Sequence, residues 1–329
     1  MVAADAEGVA RRRRLLEVVA TSVASDAGVS GVQPRSIDGA AMVVGDTTAW
    51  IVADDAPHRI IAAAWLHARR AGVHEITLAL HGADAEADGS ATARRAAVAA
   101  TPTRVVHLEG RTPVAVEAHP PDAPPPPPDG HLEFVAAIDE AGADVVIDHG
   151  MVLGEVLGLE VCRVIDGPDG AEISVGVGRH DRTAGEMLYG VDGARERLAQ
   201  VVSEVRAHRA SDAEPHPLQR LAPERRLRAE ALAVGGVDGV AGDLSPLEGL
   251  HRRQSVLSPA PAFAVTSDGR HLVVFTTGLD LGAWADAADM ASQLGVDGVT
   301  MALPERNRLA AHDELCSAVI VPISVTAIP

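Results

Sequence analysis

The sequence contains no lysine: all 28 of its basic residues are arginine. Enzymes that work through a lysine amine are therefore excluded, among them Schiff-base and pyridoxal enzymes of the usual kind, Walker A nucleotide loops and protein kinases. Aromatic residues are almost as scarce, with 3 Trp, 1 Tyr and 3 Phe in 329 residues. Stacking platforms for single-stranded nucleic acid need exposed rings and are not expected, and the core has to be built from Ala, Val, Leu and Ile. The two cysteines, Cys162 and Cys316, are too few and too far apart for a disulfide framework or a Cys-rich zinc site, which fits a reducing cytoplasm. No run of 18 apolar residues occurs, so no membrane span is expected. Positive charge is also in deficit: 46 acidic residues give a net charge of −18. That field repels polyanions, which disfavours nucleic acid and anionic membranes as partners.

What is present is a chain with 47% hydrophobic residues and a mean hydropathy of +0.11, enough for two domains or one enlarged body. The richness in Ala, Arg, Gly and Val is that of a GC-rich bacterial genome. The stretch "RRRRLLEVVATSVASDAG" at 11–28 resembles a twin-arginine signal at its start. Glu17 interrupts the apolar run, and an amphipathic helix with a solvated arginine start is the expected structure.

The pattern along the chain is α/β. "AWIVADD", "APHRIIAAAWLHARRAG", "HEITLAL", "SATARRAAVAA" and "TRVVHLEG" read as β-α-β-α-β, with Ile60, Ile61, Ala64 and Trp65 at helical spacing and Gly72 as a stop. The last sixty residues repeat that order, and "ITLALHG" against "VTMALPE" is the best local match. Two Rossmann-like lobes follow, with an internal duplication as one explanation and the sameness of buried parallel strands as the other. The expected organisation is an N-terminal α/β lobe at 1–116, a Pro-rich linker at 117–130, a central α+β module at 131–210, an irregular, partly helical strap at 211–262 and a C-terminal α/β lobe at 263–329. The module is expected to hold three strands, with a hairpin at "GPDG" and a helix at "VDGARERLAQVVSEVRAHR" capped by Asp192.

Acidic residues inside the apolar stretch "DVVIDHGMVLGEVLGLEVCRVID" (144–166) raise the question of a metal. With Asp148 and Glu160 on strands flanked by helices, the module resembles the core of restriction-endonuclease-like nucleases. That resemblance implies Mg²⁺ held by Asp148 and Glu160, with an amine two residues after the Glu to activate water. Here Cys162 stands at the amine position, and strand alternation turns Arg163 to the other face. The motif is incomplete, and an active variant would have to use Arg179 or His180 from "GRHDR".

Positions beyond the C-terminal ends of parallel strands are the other places to expect a ligand: Asp54, Asp55, His58 and His81, then Thr277, Asp280 and Arg306. No GxGxxG accompanies them, and two adjacent acids would repel a phosphate, so Asp54 and Asp55 are either helix caps or contacts for a cation. Two function classes stay open. The first is a non-catalytic cytoplasmic binding or assembly protein with a protein partner or a second copy of itself. The second is a metal-dependent phosphodiesterase or nuclease using Asp148, Glu160, Arg179 and His180, with a divalent metal such as Mg²⁺ as its only cofactor.

Overall fold

Buried parallel strands read as unbroken apolar runs, and "TAWIVA" and "EITLAL" form such strands in the computed structural model, which describes all residues except 1, 30–32, 38, 190–192, 252–256, 258 and 329. The expected cap at Asp192 lies outside the described residues. By its internal packing the chain divides into two units. One comprises Met1–Pro121, Arg270–Leu272 and Gly278–Pro329; the other comprises Asp122–Gly269 and Val273–Thr277.

The first unit begins with α1 (Val2–Asp26), β1 (Arg35–Ile37), β2 (Ala40–Val44) and β3 (Thr48–Ala53). It continues through α2 (Pro57–Ala71), β4 (Glu75–Leu80), α3 (Ala83–Ala87), α4 (Gly89–Ala97), β5 (Thr103–Glu109) and β6 (Thr112–Ala115). The six strands form one sheet in chain order, with β3, β4 and β5 parallel and antiparallel neighbours at both ends. Leu16, Ala20, Val23 and Ala24 of α1 cover one face of the sheet over Val43, Trp50, Val52 and Val106. Helix α2 starts on Pro57 and stops at Gly72, whose left-handed conformation returns its N–H to the carbonyls of Ala68 and Arg69.

In the second unit, the Pro-rich stretch leads through α5 (Asp129–Leu132) and α6 (Val135–Glu140) into β7 (Asp144–Asp148), β8 (Met151–Val156), β9 (Leu159–Gly167) and β10 (Gly170–Val175). These four strands are an antiparallel meander in the order β10-β9-β8-β7. The three strands expected from the sequence are therefore four: residues 144–166 carry β7, β8 and most of β9 rather than two. The reason is the turns. His149–Gly150 and Leu157–Gly158 both have positive φ at each position (51° and 75°, 48° and 74°), the requirement for a two-residue hairpin turn. Turns this short leave no loop composition to see, only a "HG" and an "LG" in an apolar run. Helices α7 (Gly178–Tyr189) and α8 (Ala194–Arg209) follow, and Leu198, Val202 and Val205 of α8 complete the core over Val161, Val164 and Ile173.

Residues 211–262 contain a short 3-10 turn at Pro217–Arg220, α9 (Pro223–Ala233) and β11 (Leu244–Leu247), and reach β12 (Ala262–Thr266). The chain ends with β13 (His271–Phe275), α10 (Gly282–Leu294), β14 (Gly298–Pro304), α11 (Ala310–Cys316) and β15 (Ile323–Ile328). The last strand starts at Ile323, not at residue 318 as the apolar run implies, because Pro322 has no N–H to give a ladder. The third sheet has the order β11-β12-β13-β14-β15, with β14 and β15 parallel. The molecule is thus mixed α/β, and no helix among the described residues is long and apolar enough to cross a membrane.

Within the first unit α10 packs against α2 and α4, and the buried Trp284 stacks on His312 with ring centroids 4.5 Å apart. Leu309 donates its N–H to His312 Nδ1 (3.2 Å), so Nε2 carries the proton and donates to the Gly278 carbonyl (3.0 Å). Burial holds the His312 pKa below its ordinary value, with Gly278 and Asp313 opposing and Arg308 adding to the fall. Burial, reinforced by Arg95, does the same to His58 against the pull of Asp88. Both histidines are depressed, so the unfolded chain takes up protons below about pH 6.5 that the folded chain refuses. Stability is complete above that pH and is lost as the pH falls through it. The melting temperature should drop between pH 7.5 and 5.5, and His312→Gln should flatten the dependence; equal slopes in the two proteins would rule this account out.

Candidate functional site

The polar cluster of the second unit grows from the β7–β8 hairpin. Asp148 closes β7 and is buried, and the tight turn sets His149 directly beside it. His149 Nδ1 lies 2.8 Å from Asp148 Oδ1 and 2.8 Å from Glu248 Oε1, and the backbone N–H of His149 also donates to the Glu248 carboxylate. The other oxygen of Asp148, Oδ2, accepts from Arg225 Nη2 (2.6 Å). Arg225 Nη1 donates to Glu155 Oε1, so one guanidinium joins two buried carboxylates. Arg228, one turn along α9, approaches the second oxygen of Glu155 (3.9 Å) and donates to the carbonyls of Phe263 (3.2 Å) and Leu247 (3.4 Å). The turns at both ends of β8 lie close against the chain: a Cβ on Gly158 would sit 2.4 Å from the Arg225 backbone, and one on Gly150 would sit 2.7 Å from the Pro125 carbonyl.

The electrostatics follow from burial and pairing. Burial by itself would favour protonated Asp148, but Arg225 and His149 outweigh it and hold the carboxyl below its ordinary range. Burial would likewise favour a neutral Arg225, and Glu155 and Asp148 reverse this, raising its pKa. Arg228 is depressed, because its burial exceeds the attraction of Glu155. Burial also pushes the Cys162 thiol up to about 12, so it carries no thiolate at neutral pH.

Glu160 lies in a different network. Its carboxylate accepts a bidentate pair from Arg163 (Nε to Oε1 2.6 Å, Nη2 to Oε2 2.8 Å) and a third bond from Arg182 (3.0 Å). The expectation that Arg163 turns to the opposite face is overturned. A β-bulge opposite Gly154 and Glu155 inserts one extra residue into β9, which reverses the alternation and returns Glu160 and Arg163 to one side. The "GRHDR" group is not a strand end but the first turn of α7, where Arg179 and His180 are exposed to solvent. Arg182, not Arg179, reaches Glu160.

The chain matches no protein-family model, no curated protein and no solved structure. Its chemistry has to be read from its own geometry.

In the first unit, Asp54 and Asp55 do not cap α2, whose N-cap is Ala56. They face Arg12 of α1 instead, at 2.7 Å and 3.7 Å. His58 pairs with Asp88 (2.9 Å), and His81 uses its backbone N–H on the Ala53 carbonyl. Asp280 is a local cap, accepting from Gly282 N–H (2.9 Å), and Arg306 is exposed in a 3-10 turn. Thr277, in the second unit, follows β13. These residues hold separate local positions rather than one described constellation.

Glu155, Arg225, Arg228 and Glu248 were not foreseen. Glu155 sits inside the quoted acidic-apolar stretch and could have been noticed. Glu248 is 99 residues from His149 in the chain and carries no local signal.

Removing one partner of a buried pair strands the other charge, at a cost of about 3–5 kcal/mol, while an exposed pair contributes at most about 1 kcal/mol. Arg225→Met should therefore lower the unfolding free energy in urea by about 3–5 kcal/mol, against less than about 1 kcal/mol for Arg12→Met. Similar losses from the two changes would contradict the assignment of Arg225 as the buried link.

Proposed function

We propose that the chain is a non-catalytic cytoplasmic protein that acts by binding or assembly, on an internally duplicated scaffold of two Rossmann-like α/β halves. The observation that carries the first part is the engagement of its acids. The two carboxylates that would have to share a catalytic metal have different arginine partners: Asp148 is bonded to Arg225, and Glu160 to Arg163 and Arg182. A nuclease needs such carboxylates around one metal, with a proton carrier in reach. Asp148 and Glu160 belong to separate arginine networks, and the expected carriers Arg179 and His180 face solvent.

Several correspondences support the duplication. Two antiparallel strands followed by β-α-β-α-β occur both in β1–β5 and in β11–β15, and each sheet follows chain order. Gly72 and Gly295 end the first helix of each half in the same left-handed conformation, and Thr77 and Thr300 are the buried hydroxyls of "ITLALHG" and "VTMALPE". Ala99 and Val319 stand at the same distance before β5 and β15, and they pair with each other in an antiparallel bridge. Ala100 N–H donates to Ala318 O (2.8 Å) and Ile320 N–H to Val98 O (3.0 Å), the reciprocal pattern that a twofold relation between halves requires. Such a scaffold offers paired surfaces to a protein partner or a second copy.

The test is turnover. Purified protein with Mg²⁺ or Mn²⁺ should hydrolyse neither bis(p-nitrophenyl) phosphate nor single- or double-stranded oligonucleotides above the buffer rate. Hydrolysis by the wild type that disappears in Asp148→Ala/Glu160→Ala would replace this reading with a metal-dependent phosphodiesterase.

A further inference from the structure

We propose that Asp148, His149 and Glu248 bind one divalent transition-metal cation, with zinc the best fit. The site is independent of the non-catalytic reading, since a cation held for structure requires no turnover.

The donor atoms are His149 Nδ1, Asp148 Oδ1 and Glu248 Oε1, which all lie within 4.8 Å of one another. Zinc–nitrogen and zinc–oxygen bonds of about 2.0–2.2 Å put neighbouring ligands of a tetrahedral shell about 3.3–3.6 Å apart. The imidazole nitrogen is 2.8 Å from each of the two oxygens, so a small outward adjustment creates the shell. The contacts as they stand are poorly served by hydrogen alone: one Nδ1 proton cannot point well at two carboxylate oxygens. A cation between the three atoms satisfies all of them.

Charge is a second and separate argument. Asp148, Glu155 and Glu248 bring three carboxylates to this network, and Arg225 and Arg228 bring two guanidinium groups. Counted over the described residues, the guanidinium groups fall one short of the carboxylates, and a carboxylate kept from water without a cation is costly. The shortfall lies on the side of the network where His149 and Glu248 meet, since both arginines are committed to Asp148 Oδ2 and Glu155. Arg225 holds Asp148 by Oδ2 and leaves Oδ1 turned toward His149, as an outer hydrogen bond orients a metal-bound carboxylate.

The chemistry of the donors selects the ion. One imidazole nitrogen among carboxylates favours a borderline ion such as Zn²⁺ over Mg²⁺, which prefers oxygen and keeps its waters. The ligands come from a hairpin turn and from a residue 99 positions away, so a bound cation acts as a cross-link within the second unit.

The experiment is titration of EDTA-treated, desalted full-length protein with ZnCl₂ at pH 7.5 by calorimetry, with a parallel thermal melt. The expected result is one equivalent bound with micromolar Kd and a rise in melting temperature. His149→Asn, which suits the left-handed turn, and Glu248→Gln should each weaken that binding at least tenfold, while the exposed Glu305→Gln leaves it unchanged. MgCl₂ should give no comparable binding. Three results would overturn the proposal: no zinc-dependent rise in the wild-type melting temperature, no saturable uptake, or uptake of equal strength in both site variants, which would place the ion on other histidines.

Discussion

The guanidinium of Arg225, lying between the buried carboxylates of Asp148 and Glu155, joins the meander sheet of the second unit to α9. Asp148 ends β7 at the first hairpin turn, and Glu155 lies near the end of β8 beside the second. One side chain therefore ties both strands of the β7–β8 hairpin to α9. The fork geometry of arginine makes this feasible, because its two terminal nitrogens can each serve a different acid while the charge stays spread over one plane. A lysine ammonium is a single point charge and could not be shared in this way with the same directionality.

The same solution recurs in the first unit, where α4 meets α10. Arg94 donates through Nε to both oxygens of the fully buried Asp289 (2.8 and 3.0 Å), and the neighbouring Arg95 reaches Asp286 (2.8 Å). The helices around these pairs are lined with alanine, which lets backbones come close but supplies little apolar area. A core with so few aromatic rings leaves room between elements, and long arginine stems fill that room while their heads pair with acids. Pairs of this kind add little net stability over apolar packing, but breaking one is expensive, so they select one arrangement of the elements over its competitors.

How much of this was legible in the sequence differs by feature. Periodicity revealed β3, α2, β4 and the C-terminal elements from α10 to α11, because long apolar runs and the Gly72 stop are local signals. It failed where a single residue changes the rule. The two-residue turns at His149–Gly150 and Leu157–Gly158 hid a strand, and the bulge in β9 reversed which residues share a face with Glu160. Asp148 was legible as an unusual acid, but its partners were not. Arg225 and Glu248 reach it from distant parts of the chain, and nothing in "PERRLRAE" shows that Arg225 and Arg228 turn toward Glu155 while Arg226 pairs with Glu230 of its own helix.

That failure bears on how acidic residues in apolar strands are to be read in a lysine-free chain. Their usual interpretation as a metal site rests on the cost of burying an uncompensated carboxylate, and any cation of suitable reach relieves that cost. In this protein arginine is the only side chain with a permanent positive charge, and it is abundant. Glu160 shows the consequence: three arginine hydrogen bonds from two side chains occupy it fully, and no charge remains for a metal to answer. Asp148 differs because Arg225 takes only one of its oxygens, and the other faces an imidazole and a second acid. The two acids look alike in the sequence. They are separated by which oxygens the arginines leave over, and that depends on the bulge, the turns and the placement of α9.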